Sequence, residues 1–203
     1  MPNISKSELL ACVVGAFVGG AMAFSVISTT SPEHYSTHPI ADPFDSEYHV
    51  HADFHIYIQD ELLDLSSDEF MTTSQKKHSE EVHLHDNNGE VEHIHAEDVT
   101  FTSFLNSITI NLSEDCLTTT DGNEYCANES NVLRLFVNGN TVDKKTEYIP
   151  VDDDRILLYY GNPDNPKLQE YLDNVPNDSC YYSGTCPERG TAPPESCGLT
   201  CEL

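Results

Sequence analysis

The chain has 203 residues, and its 9 Lys and Arg against 35 Asp and Glu give a formal net charge of −26. A field of that sign repels nucleic-acid phosphates and anionic headgroups and concentrates cations, so nucleic acid is excluded as a partner; solubility alone explains the charge equally well. The length leaves room for one hydrophobic core of about 130 residues with appendages, not two domains.

Residues 1–8 read as a cytoplasmic N-terminus. Leu9 to Ile27 is an uncharged apolar run preceded by Lys6, with no further Lys or Arg before Lys76. That length spans a bilayer, and the charge bias puts the N-terminus inside, which predicts a single-pass anchor over 9–27 with the remainder extracytoplasmic. The small-residue run Ala21-Met22-Ala23 also fits a cleaved signal peptide, and both alternatives export the rest of the chain. Residues 28–48, rich in Ser, Thr, Pro and acid, predict a stalk, on which His34 and His38 are plain surface residues.

The ectodomain is predicted over 49–176. Strict alternation from Tyr48 places Val50, Ala52, Phe54, Ile56 and Ile58 on one face and His49, His51, Asp53, His55 and Tyr57 on the other, the pattern of a half-buried strand. A second strand is predicted near Glu61–Leu65 after a turn at Gln59-Asp60, and residues 66–80 form a polar loop. Glu81 to Glu97 predicts a hairpin turning at Asn87-Asn88-Gly89, with Gly89 in the left-handed position of a three-residue loop. Setting Asp86 opposite Glu90 pairs His83 with His93. That register puts His83, His85, His93 and His95 on one face and Val82, Leu84 and Ile94 on the other. A two-residue Asn-Gly loop would split the histidines between faces.

Phe101, Phe104, Leu105 and Ile108 recur at helical spacing behind Thr100, a suitable N-cap. A polar loop from Cys116 to Cys126 comes next, then two β-prone runs, Val132–Asn138 and Arg155–Tyr160, that predict core strands. Asn165, Pro166 and the stripe Leu168, Tyr171, Leu172 and Val175 predict a last helix ended by Pro176. The tail, 177–203, has too few large apolar residues for a core and needs bridges to hold a shape.

Six of the seven cysteines lie beyond the apolar run: Cys116, Cys126, Cys180, Cys186, Cys197 and Cys201. An even number in an exported region predicts disulfides, with Cys116–Cys126 closing one loop and two local bridges among the four tail cysteines, whose pairing stays open. A zinc–cysteine site is the weaker alternative, since no C-x-x-C pair is present. Asn-x-Ser sequons stand at Asn111, Asn128 and Asn177.

The order strand, strand, short helix, strand, strand resembles the ubiquitin-like β-grasp. Leu135-Phe-Val-Asn-Gly139 and Ile149-Pro-Val-Asp-Asp-Asp-Arg-Ile-Leu-Leu-Tyr-Tyr-Gly161 are similar to the closing strands of its small sulfur-carrier proteins. The resemblance implies an α+β fold: a small mixed β-sheet of β-grasp type with a His-rich β-hairpin insertion, one or two short helices and a disulfide-stapled C-terminal tail. It does not imply sulfur transfer, whose diglycine terminus is absent here.

Seven of the ten histidines fall in two strand regions: His49, His51 and His55, then His83, His85, His93 and His95. On a strand, positions i and i+2 share a face, so each H-x-H offers two imidazoles to one ion and a facing H-x-H completes a four-nitrogen set. These seven are the predicted metal ligands, with Asp53, Asp86, Glu92 and Glu97 as further ligands or acceptors that orient the rings. The H-x-H and H-x-H-D-x-x-G motifs, together with Cys186-Pro-Glu-Arg-Gly190, resemble a group of uncharacterised, membrane-anchored exported proteins of archaea and small-genome bacteria. The resemblance implies grouping without a mechanism, and Glu92-His-Ile-His95 departs from the single histidine of that pattern. Imidazole suits Cu2+ or Zn2+; Cu+ is disfavoured because Met71 is the one methionine beyond the N-terminal segment. Affinity is expected to fall as pH drops through roughly 6.5, with nearby carboxylates raising the midpoint.

The expected function is extracytoplasmic metal capture or delivery. Two alternatives stay open: a metal-independent adhesion or assembly module, and a metal-dependent enzyme with an open coordination position. Known catalytic motifs are absent, and the likeness to cupin metal enzymes stops at the H-x-H dipeptide.

Overall fold

The computed structural model describes residues 48–192. The predicted anchor at 9–27, the stalk up to residue 47, and Cys197 and Cys201 lie outside the described residues. Among the described residues no helix is long and apolar enough to cross a membrane.

The protein is a mixed α+β structure with two sheets. In chain order the strands are β1 (Val50–Ile58), β2 (Glu61–Leu62), β3 (Val82–His83), β4 (Val91–Ile94), β5 (Asn111–Leu112), β6 (Cys116–Thr118), β7 (Glu124–Cys126), β8 (Val132–Val137), β9 (Asn140–Val142) and β10 (Arg155–Gly161). The larger, seven-stranded sheet has the order β3-β4-β1-β10-β8-β9, with β2 also paired to β1. The first and last long strands, β1 and β10, run parallel at the centre, Phe54 opposite Ile156 and Ile58 opposite Tyr160. Each of their other neighbours is antiparallel. Asn138 and Gly139, both at positive φ, make the tight turn from β8 to β9, the conformation whose twist suits a two-residue hairpin.

One sheet face carries the main core. Ala52, Phe54 and Ile56 of β1 meet Ile156 and Leu158 of β10 and helix α1 (Phe101–Ser107). Thr100 caps α1 as predicted, its hydroxyl accepting from the Ser103 N–H at 3.0 Å. Phe104 and Phe101 then stack edge-on to Phe54. The expected half-buried strand is instead buried on both faces over seven of its nine residues. The second face is covered by tail elements that local alternation does not encode.

Those elements are α2 (Leu168–Asn174) and α3 (Ser179–Tyr182). Helix α2 starts two residues after the predicted Pro166, with Asn165 accepting from the Lys167 N–H at 3.0 Å. Its Tyr171 stacks on Tyr57 at 4.0 Å between ring centroids. Arg155 donates to the Val175 and Pro176 carbonyls and so satisfies the open end of the helix. The tail, too poor in apolar residues for a core of its own, nevertheless buries Ser179 and Cys180 against the sheet, and Cys180 is bridged to Cys186.

The Cys116–Cys126 segment is more ordered than the polar loop expected from sequence. Strands β5, β6 and β7 form the second, three-stranded sheet. Strands of two or three residues are too short to display a period of two. The disulfide joins directly opposed residues of β6 and β7, and Leu117 beside it is fully buried. Closing a loop this short stabilises by about 2–3 kcal/mol in the chain-entropy model. Reducing the protein is therefore expected to lower its melting temperature, and an unchanged melting curve with free thiols at both positions would refute this.

Candidate metal centre

Three strands place one histidine each in a single row. His51 of β1 is paired with His93 of β4, which is paired with His83 of β3. On the opposite face Val50, Ile94 and Val82 form the matching apolar row, so the core fixes the register of the imidazoles. The pairing of His83 with His93 is the predicted one.

The turn that produces it differs from prediction. Asp86 and Asn87, not Gly89, take positive φ. A side chain at Gly89 would lie 2.4 Å from the Leu65 carbonyl carbon, so glycine serves close packing of the hairpin on residues 65–66.

One step along the strands from the central row, His49 and His95 stack at 4.4 Å, and on its other side His85 lies 3.8 Å from His93. Six rings thus form a closed circuit, His51, His49, His95, His83, His85, His93, with neighbouring centroids 3.8–5.9 Å apart. They do not line a solvated sheet face; all but the partly exposed His49 are at most 9% exposed. His49, His51 and His93 each offer a ligand atom, all within 4.8 Å of one another. A tetrahedral ion bound at about 2.1 Å needs nitrogens about 3.4 Å apart, so small side-chain rotations close this trio. The hairpin alone supplies only His93 of the three; His51 of β1 and His49 just before that strand supply the others.

His55 stands apart from the circuit. It sits two side-chain repeats beyond His51, where its Nε2 bonds Glu90 Oε1 at 2.8 Å, and the pair lines a cavity of about 510 Å³ next to Asp64 and Asp86. Among the four carboxylates, only Asp86 orients a ring of the circuit, bonding His85 Nδ1 at 2.9 Å. Asp53 instead caps α3: it accepts from the N–H groups of Asp178 and Ser179 at 2.8 and 3.0 Å and from the Ser179 hydroxyl. Burial pushes its carboxyl up, and these bonds pull it part of the way back. Glu92 pairs with Ala52 on the core face, because a residue adjacent to His93 on a strand points the other way. Burial, then the nearby Asp154, pushes its carboxyl well above the usual range. Glu97 is exposed beyond the end of β4.

The tail supplies residues that the sequence did not single out. The Tyr182 ring lies 5.6 Å from His51 and 5.3 Å from His93. Ser183 Oγ lies 2.8 Å from His51 Nδ1 and donates to Asp152 Oδ1, which also accepts from the His51 N–H at 3.0 Å. A serine hydroxyl already donating to a carboxylate can only accept from the ring. His51 therefore carries its proton on Nδ1 and presents Nε2 as the ligand. Asp86 does the same for His85. No spacing rule joins residues 51 and 183, and the polar tail has no periodicity that would reveal them.

The other clustered group, Cys116, Glu124 and Cys126, has its sulfurs in the disulfide and offers no thiolate. Met71 is buried in the main core, on the opposite side of the sheet from the imidazoles. The donor set is all-nitrogen, with carboxylates behind two rings, which suits borderline divalent ions. Ser183→Ala is expected to weaken divalent-metal affinity about 10- to 100-fold, as losing such a ring-orienting partner does elsewhere. Competition titration against a chromogenic chelator measures it, and equal affinities would show that the hydroxyl does not orient His51.

No family model, curated protein or solved structure matches the chain.

Proposed function

We propose that this protein is an extracytoplasmic transition-metal-binding domain that takes up Cu2+ or Zn2+ through the histidine circuit, for capture or delivery at the cell surface. The observation that carries it is the convergence of His49, His51 and His93 to within 4.8 Å on strands whose register the core holds rigid. Rigid strands preorganise the donors, and the Nδ1–H bonds of His51 and His85 select the nitrogen left for the ion. The bridged Cys116–Cys126 and Cys180–Cys186 pairs support an oxidising compartment. Residues 9–27 supply the membrane anchor in this proposal, and protease added to intact cells should then remove the domain. The parallel β1–β10 centre with α1 on one face supports a β-grasp, the β3–β4 hairpin being its insertion.

Elemental analysis of the full chain, purified without a histidine tag, tests the proposal. At least one equivalent of Cu or Zn is expected at pH 7.5, with release on acidification because ligating imidazoles must be neutral. A chain that is metal-free and takes up neither ion would leave the adhesion or assembly module. Three protein nitrogens leave a tetrahedral ion one position for water, as in catalytic zinc sites, and this favours a metal-dependent hydrolase as the second reading.

A further inference from the structure

We infer that the histidine circuit holds two divalent ions, the second on His83, His85 and His95. The inference rests on the metal-binding reading and deepens it. Taking His49, His51 and His93 for the first ion leaves three consecutive members of the circuit, with His83 in the middle, 4.9 Å from His95 and 5.9 Å from His85. Imidazoles that share one tetrahedral ion have ring centroids about 5 Å apart, so the His83–His95 pair already stands at that spacing, and side-chain rotation at His85 brings in the third donor. All three of its rings are buried.

Each trio also has its own carboxylate. Asp152, through Ser183, stands behind His51 in the first; Asp86 stands behind His85 in the second. Two dications close together in a low-dielectric interior repel, and a single anchored carboxylate at one end would not offset that. Anchored carboxylates on both sides of the circuit distribute the compensating charge as two ions require. A closed four-histidine site would have no use for six imidazoles. Three nitrogens per ion leave each with an open position that a water or hydroxide can take.

The test counts ions in the full chain. Protein stripped of metal is loaded with Zn2+ alone, equilibrated against a chelator strong enough to remove ions held only by surface carboxylates, and assayed by elemental analysis. Two equivalents are expected in the native chain. The variant His83→Gln/His85→Gln is expected to keep one, and His49→Gln/His51→Gln likewise one, each with a native near-ultraviolet spectrum. One equivalent in the native chain overturns the second site while leaving metal binding intact; zero overturns the metal-binding reading itself. Two equivalents retained by the His83/His85 variant would overturn the assignment of the second ion to these residues. The native count decides the matter even if a variant fails to fold.

Discussion

Replacing His93 by Ala is expected to reduce Zn2+ or Cu2+ affinity by more than about 100-fold, since loss of a partner behind a ligand already costs about 10- to 100-fold and here the ligand itself is removed. His93 is fully buried on the middle strand of the three that carry the circuit. It lies 4.6 Å from His51 and 3.8 Å from His85 between ring centroids, and it belongs to the trio whose ligand atoms already converge. His78 is the matched control. Its two ring nitrogens bond the carbonyls of Ser107 and Glu69, which ties the 66–80 loop to the end of α1. His78→Ala should loosen that loop and leave affinity unchanged. Calorimetry on both variants checks the pair, and equal losses would mean that the effect travels through folding and not through coordination.

The second large effect concerns stability and is expected in metal-free protein. Glu92 is wholly buried beside Ala52 and Ile94, and neither carboxylate oxygen has a hydrogen-bond partner among the described residues. Burial raises its folded-state pKa well above the ordinary value. Between the unfolded pKa of about 4.3 and the raised folded one, the native state binds more protons than the unfolded state, so stability falls as pH rises. The contribution is fully present below about pH 4 and is lost on the way up through the folded pKa. Glu92→Leu removes this slope and is expected to stabilise by about 1–4 kcal/mol at pH 7.5, the size of the gain when buried ion pairs give way to apolar residues. The difference between the two proteins should narrow toward pH 4. Urea titrations at several pH values measure it, and a difference that widens toward acid would reverse the assignment. The residue would then be charged in the folded state, with Tyr148 and Asp154 rearranged around it, where Asp154 now accepts from the Tyr148 hydroxyl and the Val151 N–H.

Much of the local architecture is legible from single segments. The apolar positions of β1, the cap at Thr100, the strands near 132–138 and 155–161, and the bridge between Cys116 and Cys126 all correspond to the structure. Each depends on neighbours a few residues away: a period of two, a hydroxyl three residues before an amide, a short loop between cysteines. The pairing of His83 with His93 follows from a three-residue turn at Asn87-Asn88-Gly89, and the structure keeps that pairing although Asp86 and Asn87 take the positive φ. The small sheet of β5 to β7 is not legible, since two- and three-residue strands have no period to detect.

What the sequence determined by itself, then, is which residue types stand on which face of each strand, and that seven histidines and their neighbours share chemistry suited to a divalent ion. Beyond the His83–His93 pair of the hairpin, which of them meet was decided by the tertiary structure. Antiparallel pairing of β1 with β4 joined His49 and His51 to His93, and the same pairing left His55 two repeats away with Glu90. The return of the tail across β1 brought Tyr182 and Ser183 to His51, turned Asp53 into a helix cap, and buried imidazoles expected to face water. These contacts join positions more than thirty residues apart along the chain, or more than a hundred. Their register minimises the free energy of the whole packed sheet, a sum over distant neighbours that no local window contains.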